Sequence, residues 1–171
     1  MSIYLKICTV GEPILRRETV PVTLFDSSLE ELAHQMTETM YHANGIGIAA
    51  PQVGSNLSLC VVDVSPCLDK VMYCELDKKK QHVQDLSPLV VINPTIIKYS
   101  KATSICSEGC LSVPNVQKEV ERPNSIRVEF FDLHNTRHLL QCNGLFARCL
   151  QHEIDHLHGI LFIDKVVPEQ Q

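Results

Sequence analysis

The segment from Gly144 to His158 constrains this chain more than any other, because it sets His152-Glu153-Ile154-Asp155-His156 inside a stretch that reads as one helix. It contains no proline, and Leu145, Cys149, His152 and His156 fall at i, i+4, i+7 and i+11, the spacing of a single helical face. Asn143 is the expected N-cap and Gly159 the expected stop. Four residues advance a helix by a little more than one turn, so the two imidazoles stack on the core-facing side and can share one cation, while Glu153 points aside. His158 is no third ligand: it lies about 200° around the helix from His156 and reads as a surface residue. A third ligand has to come from elsewhere in the chain.

Cysteine is the stock to search. The chain holds 8 Cys, none in a Cys-x-x-Cys pair, which argues against a structural zinc knuckle. Met1-Ser2-Ile3-Tyr4-Leu5-Lys6 has no basic region followed by an apolar stretch and a small-residue cleavage site. The thiols are therefore expected to be reduced, most of them as small apolar fillers. Cys110 stands out in Ser107-Glu108-Gly109-Cys110-Leu111-Ser112-Val113-Pro114, where Gly109 permits an unusual turn beside the sulfur and Pro114 ends the segment. On spacing alone Cys106 is an equal candidate.

A third segment, Gly45-Ile46-Gly47-Ile48-Ala49-Ala50-Pro51-Gln52, matches G-x-G-x-x-A literally. Its context contradicts a dinucleotide-binding turn, which needs a strand before it and a helix after it. Here a helix precedes: Ser27 and Glu30 read as a capping box, Leu29, Leu32, Ala33, Met36 and Met40 keep helical spacing, and Asn44-Gly45 closes it. Pro51 obstructs a helix after. The glycines instead let an extended backbone approach a ligand or make a tight turn, and Gln52 offers an amide donor to a substrate oxygen.

Between the helices the pattern is β. Leu57 to Val64, Val90 to Ile92, Thr95 to Tyr99, Ile126 to Asp132 and His138 to Cys142 read as strands, with Asp132 to Asn135 as the turn between the last two. Ile160 to Ile163 reads as a short extended segment. Residues 65–88, with Asp77-Lys78-Lys79-Lys80, read as an exposed insertion. The expected class is α+β, with antiparallel sheets packed around a C-terminal metal-binding helix and a second helix near the N-terminus. The 171 residues are expected to form a single domain, 1–171. A net charge of −5 gives no basic face for nucleic acid, and no apolar run is long enough to cross a membrane.

Taken in order, Gly45 to Gln52, Glu108 to Ser112 and Gln151 to His156 resemble the three motifs of the peptide deformylases. Gly11-Glu12-Pro13-Ile14-Leu15-Arg16 is similar to that family's N-terminal signature, and Gly159-Ile160-Leu161-Phe162-Ile163-Asp164 to its close. The resemblance implies that Cys110, His152 and His156 bind one divalent metal and that Glu153 is general base and acid. It also implies that Gln52 and the backbone N–H of Leu111 receive the oxyanion. The implied substrate is the N-formyl-methionyl end of a nascent polypeptide, and the products are formate and a free amine. Fe(II) is the expected ion, with Zn(II), Ni(II) and Co(II) compatible with one thiolate and two imidazoles.

Ile46, Gly47, Gly109, Leu145 and Cys149 are the expected substrate-pocket residues. Glu108, beside Cys110, is expected to pair with Arg122. The expected location is the cytoplasm; proximity to the ribosome is compatible with the substrate but is not itself indicated by the sequence. The chain reaches Gln171 soon after Asp164, without the long C-terminal helix through which some members contact that particle. Two rival readings stand beside this one. A zinc peptidase would take its third ligand from somewhere other than Cys110. A non-catalytic metal- or dinucleotide-binding module would rely on Gly45 to Ala50.

Overall fold

Helical periodicity and cap chemistry place the first long element, and the computed structural model describes residues 4–168. Helix α1 spans Ser27–His42 and buries Leu29, Ala33, Met36 and Met40, spaced three and four apart. Its cap is Asp26 and not the expected Ser27: Asp26 Oδ1 accepts from the backbone N–H groups of Ser28 and Leu29, both at 3.1 Å. The carboxylate brings a full negative charge to the positive end of the helix, and Ser27 already has helical geometry. At the other end Asn44 adopts φ +57°, and the Gly45 N–H returns to Met40 O at 2.9 Å. The helix stops there.

Nine strands follow among the described residues: β1 (Gly47–Ala49), β2 (Leu59–Val62), β3 (Tyr73–Leu76), β4 (Lys79–His82), β5 (Leu89–Tyr99), β6 (Thr103–Cys110), β7 (Val113–Pro123), β8 (Ser125–Phe131) and β9 (Arg137–Asn143). Seven form one antiparallel sheet in the order β1-β2-β5-β8-β9-β3-β4, while β6 and β7 form a separate two-stranded sheet, with β7 also bridged at Val120 to Val166. Helix α3 (Gly144–Leu157) packs on β1 and β2. It buries Phe146, Leu150, Ile154 and Leu157 against Val62, Val128 and Leu140. Helix α1 covers a second cluster that includes Ile48, Leu59 and Ile92. The α+β class with a C-terminal helix on antiparallel sheets is the architecture observed.

Four local expectations are corrected. The 65–88 stretch is no mere exposed loop: it forms the β3–β4 hairpin and a helical turn, α2 (Val83–Leu86), with Cys74 and Val83 buried and β3 paired to β9. The two strands expected on either side of Pro94 are one, β5, with register shifts after Ile92 and Ile96. A shift of this kind lets a proline, which has no N–H, sit within a strand. Residues 103–123, not read as strands, form β6 and β7; Pro114 lies inside β7 where the register slips between the Glu108↔Lys118 and Cys110↔Val113 pairs. Finally, Ile160 to Ile163 leads into a 3₁₀ turn at Phe162–Lys165.

That turn docks the chain's two signatures together. Arg16 donates to Asp164 at 2.5 and 3.1 Å. Gly159, at φ +70°, lies so close to the Arg16 carbonyl that a Cβ would come within 2.6 Å of its oxygen. Only glycine satisfies both the left-handed backbone and the contact.

Candidate metal centre

Cys110 ends β6, and Leu111 and Ser112 make the tight connection into β7. This hairpin tip points at the face of α3 that carries His152 and His156. One ligand-type atom from each of Cys110, His152 and His156 lies within 4.8 Å of the others, and Cys110 Sγ is 3.3 Å from His156 Nε2. Cys106, equal on spacing, is exposed on β6 and is not part of this group.

His152 Nδ1 donates to Glu108 Oε1 at 2.9 Å, which leaves Nε2 to face the cluster. Burial works against charge on His152, yet hydrogen bonds to Cys110 and Glu108 and the nearby Glu153 carboxylate carry its pKa up to about 10. His156 is pushed well below its ordinary value by burial and then by His152. Groups that stabilise positive charge therefore surround the point where the three donor atoms converge. One soft thiolate and two imidazole nitrogens, held this close, fit a divalent transition-metal ion.

Glu153 is 3% exposed, and its Oε2 has no hydrogen-bond partner among the described residues. Burial raises its pKa to about 7, against the opposing pull of His152 and Arg122. A carboxyl group poised there can take and return a proton near neutral pH. Gly47 makes the room for it: a Cβ on Gly47 would collide with Glu153 Oε1 and come within 2.9 Å of Cys149 Sγ.

Gln52 is buried in the 3₁₀ turn Ala50–Val53. Its Oε1 accepts from Ala49 N at 2.8 Å, and its Nε2 donates to Ser112 Oγ at 3.1 Å and toward Cys110 Sγ at 3.5 Å. Leu111 and Gln52 both line a cleft of about 550 Å³ that opens onto Glu153. Ile46, Gly47, Gly109, Leu145 and Cys149 line the same cleft, and Cys149 Sγ donates to Ile46 O at 3.4 Å.

Glu108 and Arg122 meet: Arg122 Nε and Nη2 donate to the two carboxylate oxygens at 2.6 and 2.9 Å. Burial opposes the charge on Glu108, but bonds from His152 and Arg122 hold its pKa down to about 2. Three residues escaped the sequence reading. Asp155 accepts from Arg122 Nη1 at 2.8 Å, Ser112 anchors Gln52, and Arg148 donates to Glu108 Oε2 at 2.6 Å. The signal for Arg148 was present: it sits four residues before His152, a cation on a helix whose neighbouring positions are core.

Comparison with known proteins identifies the family. A family model described as polypeptide deformylase matches residues 4–171. A peptide deformylase of Novosphingobium aromaticivorans is 46% identical over 163 residues, covering 93% of this chain and 87% of its own. One from Opitutus terrae is 42% identical over 163 residues, covering 95% and 84%. Among solved structures, the Synechococcus elongatus peptide deformylase in complex with actinonin superposes with a TM-score of 0.83 at 39% identity, covering 98% of this chain and 81% of that one. The Thermotoga maritima peptide deformylase gives 0.81 at 36% identity, covering 96% and 99%.

Proposed function

The chain belongs to the polypeptide deformylase family and is a metal-dependent hydrolase that removes N-terminal formyl groups from newly made polypeptides; on that premise we propose how its own residues divide the work. Cys110, His152 and His156 hold the ion. The observation that carries this reading is the approach of their donor atoms to within 4.8 Å, beside a buried carboxylate. A divalent ion held there supplies Lewis acidity, which makes water nucleophilic near neutral pH and draws charge from the formyl oxygen.

The formyl-methionine side chain occupies the cleft between Ile46, Gly47 and Gly109 on one side and Leu145 and Cys149 on the other. Glu153 takes a proton from the attacking water as the new carbon–oxygen bond forms. The developing oxyanion is received by Gln52 Nε2 and the Leu111 backbone N–H. Glu153 then delivers its proton to the departing nitrogen as the carbon–nitrogen bond breaks. One water is consumed, and formate and a free amine leave. Glu108 fixes the His152 ring, and Arg122 fixes Glu108.

We assign Fe(II) as the ion, with Zn(II), Ni(II) and Co(II) as substitutes the same donors accept. The cytoplasm, where formylated chains leave the ribosome, is the assigned location. Among the described residues no helix is long and apolar enough to cross a membrane.

The deciding assay is formate release from formyl-Met-Ala-Ser, with acetyl-Met-Ala-Ser and an internal peptide bond as controls. Release from the first alone is expected. Glu153→Gln should keep its metal, counted by elemental analysis, and lose about 10²–10⁴-fold in kcat. Equal turnover would remove Glu153 from the proton path. Anaerobically prepared enzyme should outperform air-exposed enzyme, and equal activity after prolonged aeration and peroxide treatment would exclude iron.

A further inference from the structure

We propose that Arg148 is a positioning residue that sets the distance between the helix carrying the two histidine ligands and the hairpin carrying the cysteine ligand. The proposal rests on the ligand assignment above. It begins from topology. The β6–β7 hairpin shares no ladder with the seven-stranded sheet, so strand pairing does not fix Cys110 relative to α3. Something else must hold the hairpin against the helix to within a fraction of an ångström, because a metal site tolerates little looseness.

Arg148 is built for that task. It leaves α3 one turn before His152 and is 7% exposed. Nη1 donates to Glu108 Oε2 at 2.6 Å and to the Val120 carbonyl at 3.0 Å. Nη2 donates to the Ser104 carbonyl at 2.8 Å and to Ser104 Oγ at 3.2 Å. One helical side chain thus grips β6 at Ser104, β7 at Val120, and the carboxylate that orients His152. Two of these anchors are main-chain carbonyls, so the grip acts on the hairpin backbone.

Arg122 differs. It lies on β7 itself, grips Glu108 within the hairpin, and reaches α3 only through Asp155. Arg148 is the longer bridge, from helix to both strands. Its planar fork spans acceptors on three residues at once, which an ammonium on a lysine stem has no geometry to do.

The test compares Arg148→Met and Arg148→Lys with the parent, each prepared with Co(II). Three quantities are read: Co(II) affinity by chelator competition, the thiolate-to-cobalt absorption band, and kcat and KM separately. The expected result is a loss of about 10–100-fold in Co(II) affinity with a weakened or shifted thiolate band, a lower kcat and little change in KM, in both variants. Added guanidinium ion should partly restore the band in Arg148→Ala, where it can fill the vacated site.

A variant with a lowered Tm but the parent's affinity and spectrum, measured on the folded fraction, would show Arg148 to be ordinary structure and overturn the proposal. Should Arg148→Met fail to fold, Arg148→Lys, which keeps charge and stem, decides alone. Cys110→Ser separates the two levels of argument. If it leaves Co(II) affinity and the band untouched, the ligand assignment itself is wrong. If it removes the band while the Arg148 variants match the parent, only the role of Arg148 is lost.

Discussion

Of the histidines that carboxylates hold, His152 and His138 make the instructive pair, and only the first sits at the metal centre. His152 gives Nδ1 to Glu108 and keeps Nε2 for the convergence with Cys110 and His156. His138 gives both nitrogens away: Nδ1 lies 2.7 Å from Asp77 and Nε2 2.7 Å from Asp132. Since a carboxylate only accepts, both His138 nitrogens carry protons and no lone pair is left for an ion. The first ring is almost dry. The second has a side chain 19% exposed, with carboxylates 45% and 31% exposed. The same pair of residue types therefore performs two tasks, and the number of occupied ring nitrogens separates them. At His152 the pair orients a ligand; at His138 it ties the β3–β4 hairpin to the β8–β9 turn.

The sharpest way to break this comparison is Glu108→Gln. It strips the anion from two buried arginines, and breaking a buried ion pair costs about 3–5 kcal/mol. Denaturant unfolding should show that loss, and metal affinity should fall about 10–100-fold. A stable variant that retains its metal would mean that Glu108 and His152 are no more coupled than a surface pair. His138→Gln should cost less, roughly 1 kcal/mol, because its partners are partly solvated. Metal content and kcat should match the parent, and any loss of metal would blur the distinction.

The smallest effect is in pH. Burial lowers the His138 pKa, but bonds to Asp132 and Asp77 more than reverse this and raise it above 6.5. Its contribution is complete below about pH 6.5 and fades as pH rises through the raised folded value. The stability gap between parent and His138→Gln should therefore narrow on the alkaline side. Glu108 runs the other way: its folded pKa of about 2 lies below the ordinary 4.5, so its contribution is complete above about pH 4.5 and is lost as pH falls toward 2. Thermal midpoints across this range would show both slopes, and a gap at His138 that widened with pH would reverse its assigned charge.

What was legible in the sequence was whatever periodicity or local spacing encodes. The stripe of Leu145, Cys149, His152 and His156 needed only the helical repeat. Strands β2, β8 and β9 carry apolar or alternating runs. The β6–β7 hairpin was hidden because its exposed residues, from Thr103 to Ser107, lack the buried alternation that marks a strand, and Pro114 argues against one locally. The 65–88 stretch misled for a related reason: lysines on an edge strand look like a loop, yet β4 is the outer strand of the sheet, where lysines discourage pairing with other chains. Arg148 and Asp155 escaped because their partners lie far off in sequence, and only the fold brings such charges together.

The bare Cα of Gly47 also bears on how this enzyme can change under selection. Any side chain there strikes Glu153, so a compound whose backbone lies flat against Gly47 contacts a position that has no useful escape mutation. Lining positions such as the exposed Asn115 and Gln117 remain free to vary, because the carboxylate's packing does not depend on them.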